Sequence, residues 1–163
     1  LDKEKEVKNM VKKDKFEWVL QKGTEVGISE FVPVVAARSE KRELGRPERA
    51  QAILKEAAEQ STRGKIPVLK QARSMEDVCK ADKSQLNILL DPGSDVPLAR
   101  YFPAVPAYSA INILIGPEGG FAPEEVTLAR AGGWEPVNLG PRILRTETSG
   151  VLAAGAILIA TQI

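Results

Sequence analysis

The chain has 163 residues, of which 43% are hydrophobic, and this length and composition are typical of one globular domain with a single core. Its 23 lysines and arginines nearly balance 22 acidic residues, so the net charge of +1 gives no general argument for a polyanionic partner. The chain has no histidine and one cysteine, Cys79, which excludes Ser-His-Asp, Cys-His and HExxH catalysis, an internal disulfide framework and zinc sites built on cysteine pairs.

The first part of the chain predicts two helices and a strand. Apolar residues follow one helical face from Asp14, a good N-cap, to Val26, and a glycine stands where a C-terminal cap belongs. The run FVPVVAA (31–37) predicts a buried strand. Pro47 opens a second helix. Its predicted buried face comprises Ala50, Ile53, Leu54, Ala57 and Ala58.

The second part alternates short strands and helices. Strands are predicted at 67–72, 86–91, 111–115 and 135–139, and helices at 74–81, at 123–131 and from about 147 to the end. The segment 92–110 holds four prolines and is predicted to be mostly loop. This alternation predicts an α/β fold in which helices cover a parallel sheet and ligands bind at the carboxyl ends of the strands.

The last predicted helix, SGVLAAGAILIATQI (149–163), is apolar nearly all round and rich in small residues. Because a single sheet covers only one side of a helix, we expect a partner subunit to cover another side, with Ile157 in that contact. The alternative is that loops of the same chain cover it. Its most apolar run, Val151 to Ala160, is too short to span a bilayer, so we expect a cytoplasmic protein.

The turn in ILIGPEGGF (113–121) follows a predicted buried strand and carries an acid, Glu118, among its glycines. It lacks the Lys-Ser/Thr pair of a P-loop and the GxGxxG order, and the acid would repel phosphate. A ligand with positive charge and polar edges, such as S-adenosylmethionine, suits such a turn, because glycines let main-chain groups approach closely. A plain tight turn is the alternative.

The stretch NLGPRILRTET (138–148) concentrates Arg142, Arg145 and Glu147 where a loop meets the last helix. Two arginines beside a cofactor pocket suit a substrate that is anionic or becomes so. The alternative is an Arg–Glu surface pair with a threonine cap.

Four segments together resemble the RsmE family, which methylates N3 of a uridine in bacterial 16S ribosomal RNA. They are KGTEVGISEFVPVVAARS (22–39), EAAEQSTRGKIPVL (56–69), ILIGPEGGF (113–121) and LGPRILRTET (139–148). The resemblance implies the SPOUT fold, an α/β methyltransferase domain with a C-terminal deep trefoil knot that works as a homodimer. It also implies that S-adenosylmethionine is held by Leu90, Asp91, Pro92, Ile115, Gly116, Pro117, Glu118, Gly119, Gly120, Leu139, Gly140, Pro141, Ile143 and Leu144.

Methylation of uridine N3 requires removal of its imide proton. Without histidine, the base is a carboxylate with a shifted pKa or a water molecule, and Glu118 and Glu147 are the candidates. Arg142 and Arg145 are the candidates for stabilising the uracil anion, and no metal is expected. Which group takes which role stays open at this point.

Arg38, Arg63 and Arg145 are the candidate contacts to RNA in the small ribosomal subunit. The first 65 residues carry 15 basic and 12 acidic side chains, against 8 and 10 in the rest, so we expect polyanion contacts mainly in the first part. For Arg63, a contact at the dimer interface stays open beside the contact to RNA, and a polar helix end is an equal alternative to both.

Residues 14–163 are expected to form the SPOUT domain. The charged run 1–13 is interpreted either as a solvated segment or as a linker from a missing N-terminal PUA-like RNA-binding domain, which members of the resembled family carry. Two other functions stay open: a SPOUT relative acting on tRNA or ribose, and a non-catalytic nucleotide- or RNA-binding module. Against a pure RNA-binding module stands the low aromatic content of 5%.

Overall fold

The computed structural model describes residues 13–38, 46–80 and 82–161, so the predicted charged segment 1–13 lies outside the described residues except for Lys13. The α-helices are α1 (Lys13–Val26), α2 (Pro47–Gln60), α3 (Met75–Cys79), α4 (Pro123–Ala131) and α5 (Thr146–Ala160). The strands are β1 (Glu30–Phe31), β2 (Val34–Val35), β3 (Val68–Leu69), β4 (Arg73–Ser74), β5 (Leu86–Leu90), β6 (Ile111–Ile115) and β7 (Glu135–Val137).

The central sheet has the order β6-β5-β7, and both of its strand pairs are parallel. Leu90, the last residue of β5, pairs with Ile115 of β6 and with Val137 of β7. The predicted parallel sheet is therefore confirmed, and the loops that follow its three strands leave from one edge. Every residue of β5 is buried, as a central strand covered on both faces requires.

The strand predicted at 31–37 is instead two short strands, β1 and β2. Strand β1 pairs with β3 and β2 pairs with β4, both in parallel. Pro33 stands between them and has no N–H to donate to the ladder, although its carbonyl accepts a hydrogen bond from the Arg73 amide at 2.9 Å. A proline at this point explains why the pairing breaks and resumes with a second partner.

Helices α1 and α2 pack around a core that includes Phe16, Leu20, Phe31 and Leu54. The five residues predicted to form the buried face of α2 are all buried, and its start at Pro47 is confirmed. Helix α1 is described from Lys13, which is the first described residue, and Gly27 follows its end as predicted.

The predicted loop 92–110 contains a 3₁₀ helix over Leu98–Ala107, so the prediction was wrong there. Pro103 and Pro106 lie inside it and cannot donate α-helical hydrogen bonds, which favours tighter turns. Leu98 and Val105 are buried against the central sheet.

Helix α5 packs against β6, the 3₁₀ helix and α1. At the sheet contact the approach is close: a Cβ added to Gly150 would lie 2.3 Å from Ile115 Cδ1. Ile157 is buried in the core with 4% exposure, so the expectation that it meets a partner was wrong. Helix α1 of the same chain covers a side that we had left to a partner or to loops, and Leu152 and Ile159 remain exposed. No helix in the described part of the chain is long and apolar enough to cross a membrane.

Candidate active site

The loops that follow β5, β6 and β7 enclose a cleft at the carboxyl edge of the central sheet, where parallel α/β folds bind ligands. Its floor is apolar, with Leu90, Ile115, Val137 and Leu139, and its walls are formed by the loops that follow the three strands. The cleft is lined by Leu90, Asp91, Pro92, Ile115, Gly116, Pro117, Glu118, Gly120, Phe121, Val137, Asn138, Leu139, Gly140, Arg142, Ile143, Leu144, Thr146 and Ser149.

The residues predicted to hold the cofactor line this cleft, apart from Gly119 and Pro141. Among the predicted catalytic residues, Glu118 and Arg142 line it, whereas Arg145 and Glu147 lie outside its lining. Phe121, Val137, Asn138, Thr146 and Ser149 are lining residues that sequence reasoning missed.

Asn138 connects the loops after β5 and β7. Its side-chain nitrogen donates to the Ser94 carbonyl at 2.7 Å, and its side-chain oxygen accepts from the Gly140 amide at 3.0 Å. Gly140 has φ +109°, a conformation that glycine adopts readily and other residues rarely do. The order Asn-Leu-Gly is the signal that could have revealed this turn, since asparagine side chains often bond the backbone two residues on.

The turn after β6 is held tightly from inside. The Gly120 amide donates to the Pro117 carbonyl at 2.8 Å, and Gly120 has φ +73°. A Cβ on Gly116 would lie 3.1 Å from the ring of Phe121, so that ring packs directly on the glycine. The Thr146 hydroxyl donates to the Gly116 carbonyl at 3.3 Å and thereby joins the two glycine-rich motifs of the sequence.

The outer side of the same turn is tied to the end of β2. Arg38 donates from its guanidinium to the Gly119 carbonyl. The buried Glu125 carboxylate accepts from the amides of Ala37 at 2.9 Å and Ala122 at 2.8 Å. Arg38, predicted to contact RNA, therefore lies against the glycine-rich turn.

Arg63 lies elsewhere, at the end of α1. Its guanidinium donates to the carbonyls of Thr24 at 3.0 Å and Ile28 at 2.6 Å, and the side chain is partly buried. These bonds satisfy carbonyls at a helix C-terminus, where a cation is favourable. In the structure Arg63 therefore stabilises the end of α1, and its contact to RNA stays a prediction.

Glu118 and Glu147, the two candidate bases, come together through Lys15 of α1. The Lys15 ammonium lies 2.9 Å from Glu118 Oε1 and 3.5 Å from Glu147 Oε1. The hydrogen bond to Glu118 raises the pKa of Lys15, helped by the charges of both carboxylates and opposed by burial and by Arg145. The sequence held no signal for Lys15, which stands 103 positions from Glu118.

The two arginines of the second motif have different surroundings. Arg142 is exposed and lines the cleft, where it is the only cationic side chain among the described lining residues. Arg145 is the N-cap residue of α5, is exposed, and makes no capping bond from its side chain.

The cleft offers an apolar floor, main-chain donors and acceptors, two acids, Asp91 and Glu118, and one cation, Arg142. Open space surrounds the Cβ position of Gly140, so the backbone is accessible there. These features fit a nucleoside that carries a charged group other than phosphate. Within the described ranges, no group of three or more Cys, Asp or Glu side chains is placed to hold a metal ion.

The fold and the cleft define a parallel α/β protein with a small-molecule pocket at the carboxyl edge of its sheet. The RNA methyltransferase domain family matches residues 7–158, and the chain belongs to that family.

Two relatives and one solved structure show how far the similarity extends. The chain is 36% identical to ribosomal RNA small subunit methyltransferase E of Bacillus subtilis, over 93% of this chain and 64% of that protein. The chain is 34% identical to the protein of the same name from Synechocystis, over 87% of this chain and 48% of that protein. The crystal structure of the Neisseria gonorrhoeae protein of that name, bound to S-adenosyl methionine, superposes with a TM-score of 0.81 at 30% identity, over 90% of this chain and 61% of that one.

The chain thus spans about half to two thirds of the length of these relatives. The resemblance to the RsmE family stated from the sequence is confirmed.

Proposed function

We propose that the protein is an S-adenosylmethionine-dependent methyltransferase that modifies N3 of a uridine in 16S ribosomal RNA of the small ribosomal subunit. The observation that carries this proposal is the cleft itself, since the loops containing ILIGPEGGF and LGPRILRTET line one pocket in a chain of this family. A similar protein of known structure binds S-adenosyl methionine. For a protein that acts on bacterial ribosomal RNA, the proposed location is the cytoplasm.

The cofactor pocket is proposed to be built mainly from main-chain groups of residues 115–120 and 139–144, with Leu90, Asp91 and Pro92 as a third wall. The apolar floor suits an adenosine, and backbone amides and carbonyls suit its polar edges. S-adenosylmethionine supplies an activated methyl group when bound. What the chain supplies is orientation, which is worth up to about 7–11 kcal/mol of the barrier.

The remaining chemistry concerns the imide proton of uridine. Glu118 lines the cleft and is the carboxylate proposed to take that proton, directly or through a water molecule. Arg142, the cation in the cleft lining, is proposed to stabilise the uracil anion as charge develops. Arg145 lies at the adjacent N-cap of α5 and is proposed to contact the RNA.

Arg38 and Arg63 are the other proposed RNA contacts. Arg38 lies against the glycine-rich turn, so RNA bound there would lie close to the cofactor loops. Arg63 would contact RNA through its other guanidinium nitrogens, because one nitrogen already donates to two carbonyls.

A homodimer and a C-terminal trefoil knot complete the proposal. Exposed Leu152 and Ile159 on α5 support the dimer. For the knot, the support is the chain path: β7 pairs with β5, yet α5 packs on β6 at the other side of β5, so the segment 138–145 crosses the carboxyl edge. Residues 14–163 are proposed to be the methyltransferase domain.

Transfer of tritiated methyl groups from S-adenosylmethionine tests the function. Unmethylated small ribosomal subunits, free 16S RNA and tRNA are the acceptors, and subunits that already carry the modification are the control. We expect label in unmethylated subunits, recovered as N3-methyluridine by mass spectrometry of the nucleosides. Label in tRNA or in ribose would identify a different SPOUT-type methyltransferase, and RNA binding without transfer would identify a non-catalytic module.

A further inference from the structure

Three charged side chains from three elements form a continuous ion-pair network that begins at Glu118 in the cleft lining. Glu118 belongs to the turn after β6, Lys15 to α1 and Glu147 to the first turn of α5. Their side chains are progressively less exposed, at 55% for Glu118, 20% for Lys15 and 13% for Glu147. The ion-pair network therefore extends from the solvent-facing side of the cleft into the protein.

Electrostatics give the lysine a specific task. Glu118 and Glu147 both approach one ammonium, and without it two like charges would face each other in a partly desolvated place. Both carboxylates favour the charged form of Lys15, and Arg145 is the described cation that opposes it. Glu147 Oε2 is buried and has no hydrogen-bond partner among the described residues, and Glu147 Oε1 pairs with the Lys15 ammonium at 3.5 Å.

We propose that Lys15 is a positioning residue of the methyl transfer: Glu147 holds the Lys15 ammonium, and the ammonium holds Glu118 at the cleft. This inference rests on the proposed function, since it assigns Lys15 to the carboxylate that receives the imide proton.

A second lysine on the same helix shows what an ordinary pair looks like. Lys22 bonds Glu25 at 3.1 Å, three residues away, with both side chains more than a third exposed. Such pairs are screened by water and salt and contribute little to stability. Lys15 is less exposed than Lys22 and pairs with two carboxylates on elements distant in sequence. Its ion pairs therefore restrict the positions of Glu118 and Glu147.

The test compares Lys15→Met, Lys15→Arg and the double variant Lys15→Met with Glu147→Gln, with Lys22→Met as the matched control. For each protein we would measure kcat and KM for methyl transfer to small ribosomal subunits across pH, S-adenosylhomocysteine affinity by calorimetry, and the melting temperature. Glu147→Gln alone completes a double-mutant cycle.

We expect Lys15→Met to lower kcat by roughly 10²-fold, because a misplaced catalytic group costs about that much, with unchanged S-adenosylhomocysteine affinity. Its pH–rate profile should differ from that of the wild type, because the positive charge that lies between the two carboxylates has been removed. Lys15→Arg should restore part of the rate, and Lys22→Met should match the wild type.

The double variant separates positioning from stability. Neutralising Glu147 removes the unpaired carboxylate, so the double variant should melt closer to the wild type than the two single losses predict, while its rate stays low.

A double variant with wild-type kcat would overturn the positioning role, and so would a Lys15→Met protein with wild-type rate and pH profile. Loss of S-adenosylhomocysteine affinity in Lys15→Met would also overturn it, by showing that Lys15 maintains the cleft. A wild-type protein that transfers no methyl group would defeat the proposed function and this inference together, whereas active wild type with unaffected variants would defeat this inference alone.

Discussion

Gly140 is the residue at which backbone conformation and the candidate pocket meet most directly. Its φ of +109° is strained for any residue with a Cβ, and residues held in such regions cost about 1–3 kcal/mol. Gly140→Ala should therefore weaken S-adenosylhomocysteine binding, because the loop 139–144 must move to relieve the strain. An added Cβ would meet no atom within 4 Å, so we expect the fold to persist. Calorimetry and circular dichroism measure the two effects.

Gly64 is the matched control for this substitution. It also has open space at its Cβ position, has no left-handed φ and does not line the cleft. Gly64→Ala should leave affinity unchanged. Equal affinities for Gly140→Ala and the wild type would show that the loop after β7 does not hold the ligand.

At the scale of elements, α5 carries two kinds of apolar residue that substitution can separate. Ile157 is 4% exposed within the core, whereas Ile159 is 66% exposed. Ile157→Glu should unfold the protein, because a buried unpaired charge costs several kcal/mol. Ile159→Glu should leave the melting temperature of the monomer fold nearly unchanged but dissociate the proposed homodimer.

Sedimentation velocity at micromolar concentration, with thermal melting alongside, measures both outcomes for α5. A substitution at Gly155 would disturb α5 less than one at Ile157, because the Cβ position of Gly155 is open in this chain. A dimer that survives Ile159→Glu would place the interface away from this face of α5, and a wild-type monomer would remove the dimer from the proposal.

At the scale of the whole molecule, ligand binding should stabilise the fold. A ligand that binds only the folded state at 100 times its Kd contributes about 2.7 kcal/mol. For a chain of this length that corresponds to a rise in Tm of roughly 5–11 °C. We expect S-adenosylhomocysteine to produce this shift and NAD to produce none, as measured by differential scanning calorimetry. A shift with NAD alone would indicate a dinucleotide pocket and contradict the cofactor assignment.

Several elements could be predicted closely because their signals are local. Helix α4 begins at Pro123 and strand β6 covers Ile111–Ile115, as proline at a helix start and a short apolar run between turns indicate. Pro33 was likewise a local signal for the break between β1 and β2. The prediction of a single strand over 31–37 gave more weight to the apolar residues around it.

By itself, the sequence determined the α/β class, the helix faces, the glycine-rich turns and the family, because periodicity, capping and motif order depend on neighbouring residues. Only the tertiary structure decided that α1 covers α5, that Thr146 bonds Gly116 and that Lys15 joins Glu118 to Glu147. These contacts link residues 30 and 103 positions apart in the two hydrogen-bonded cases. Contacts of that kind depend on the path of the whole chain, which no local pattern encodes.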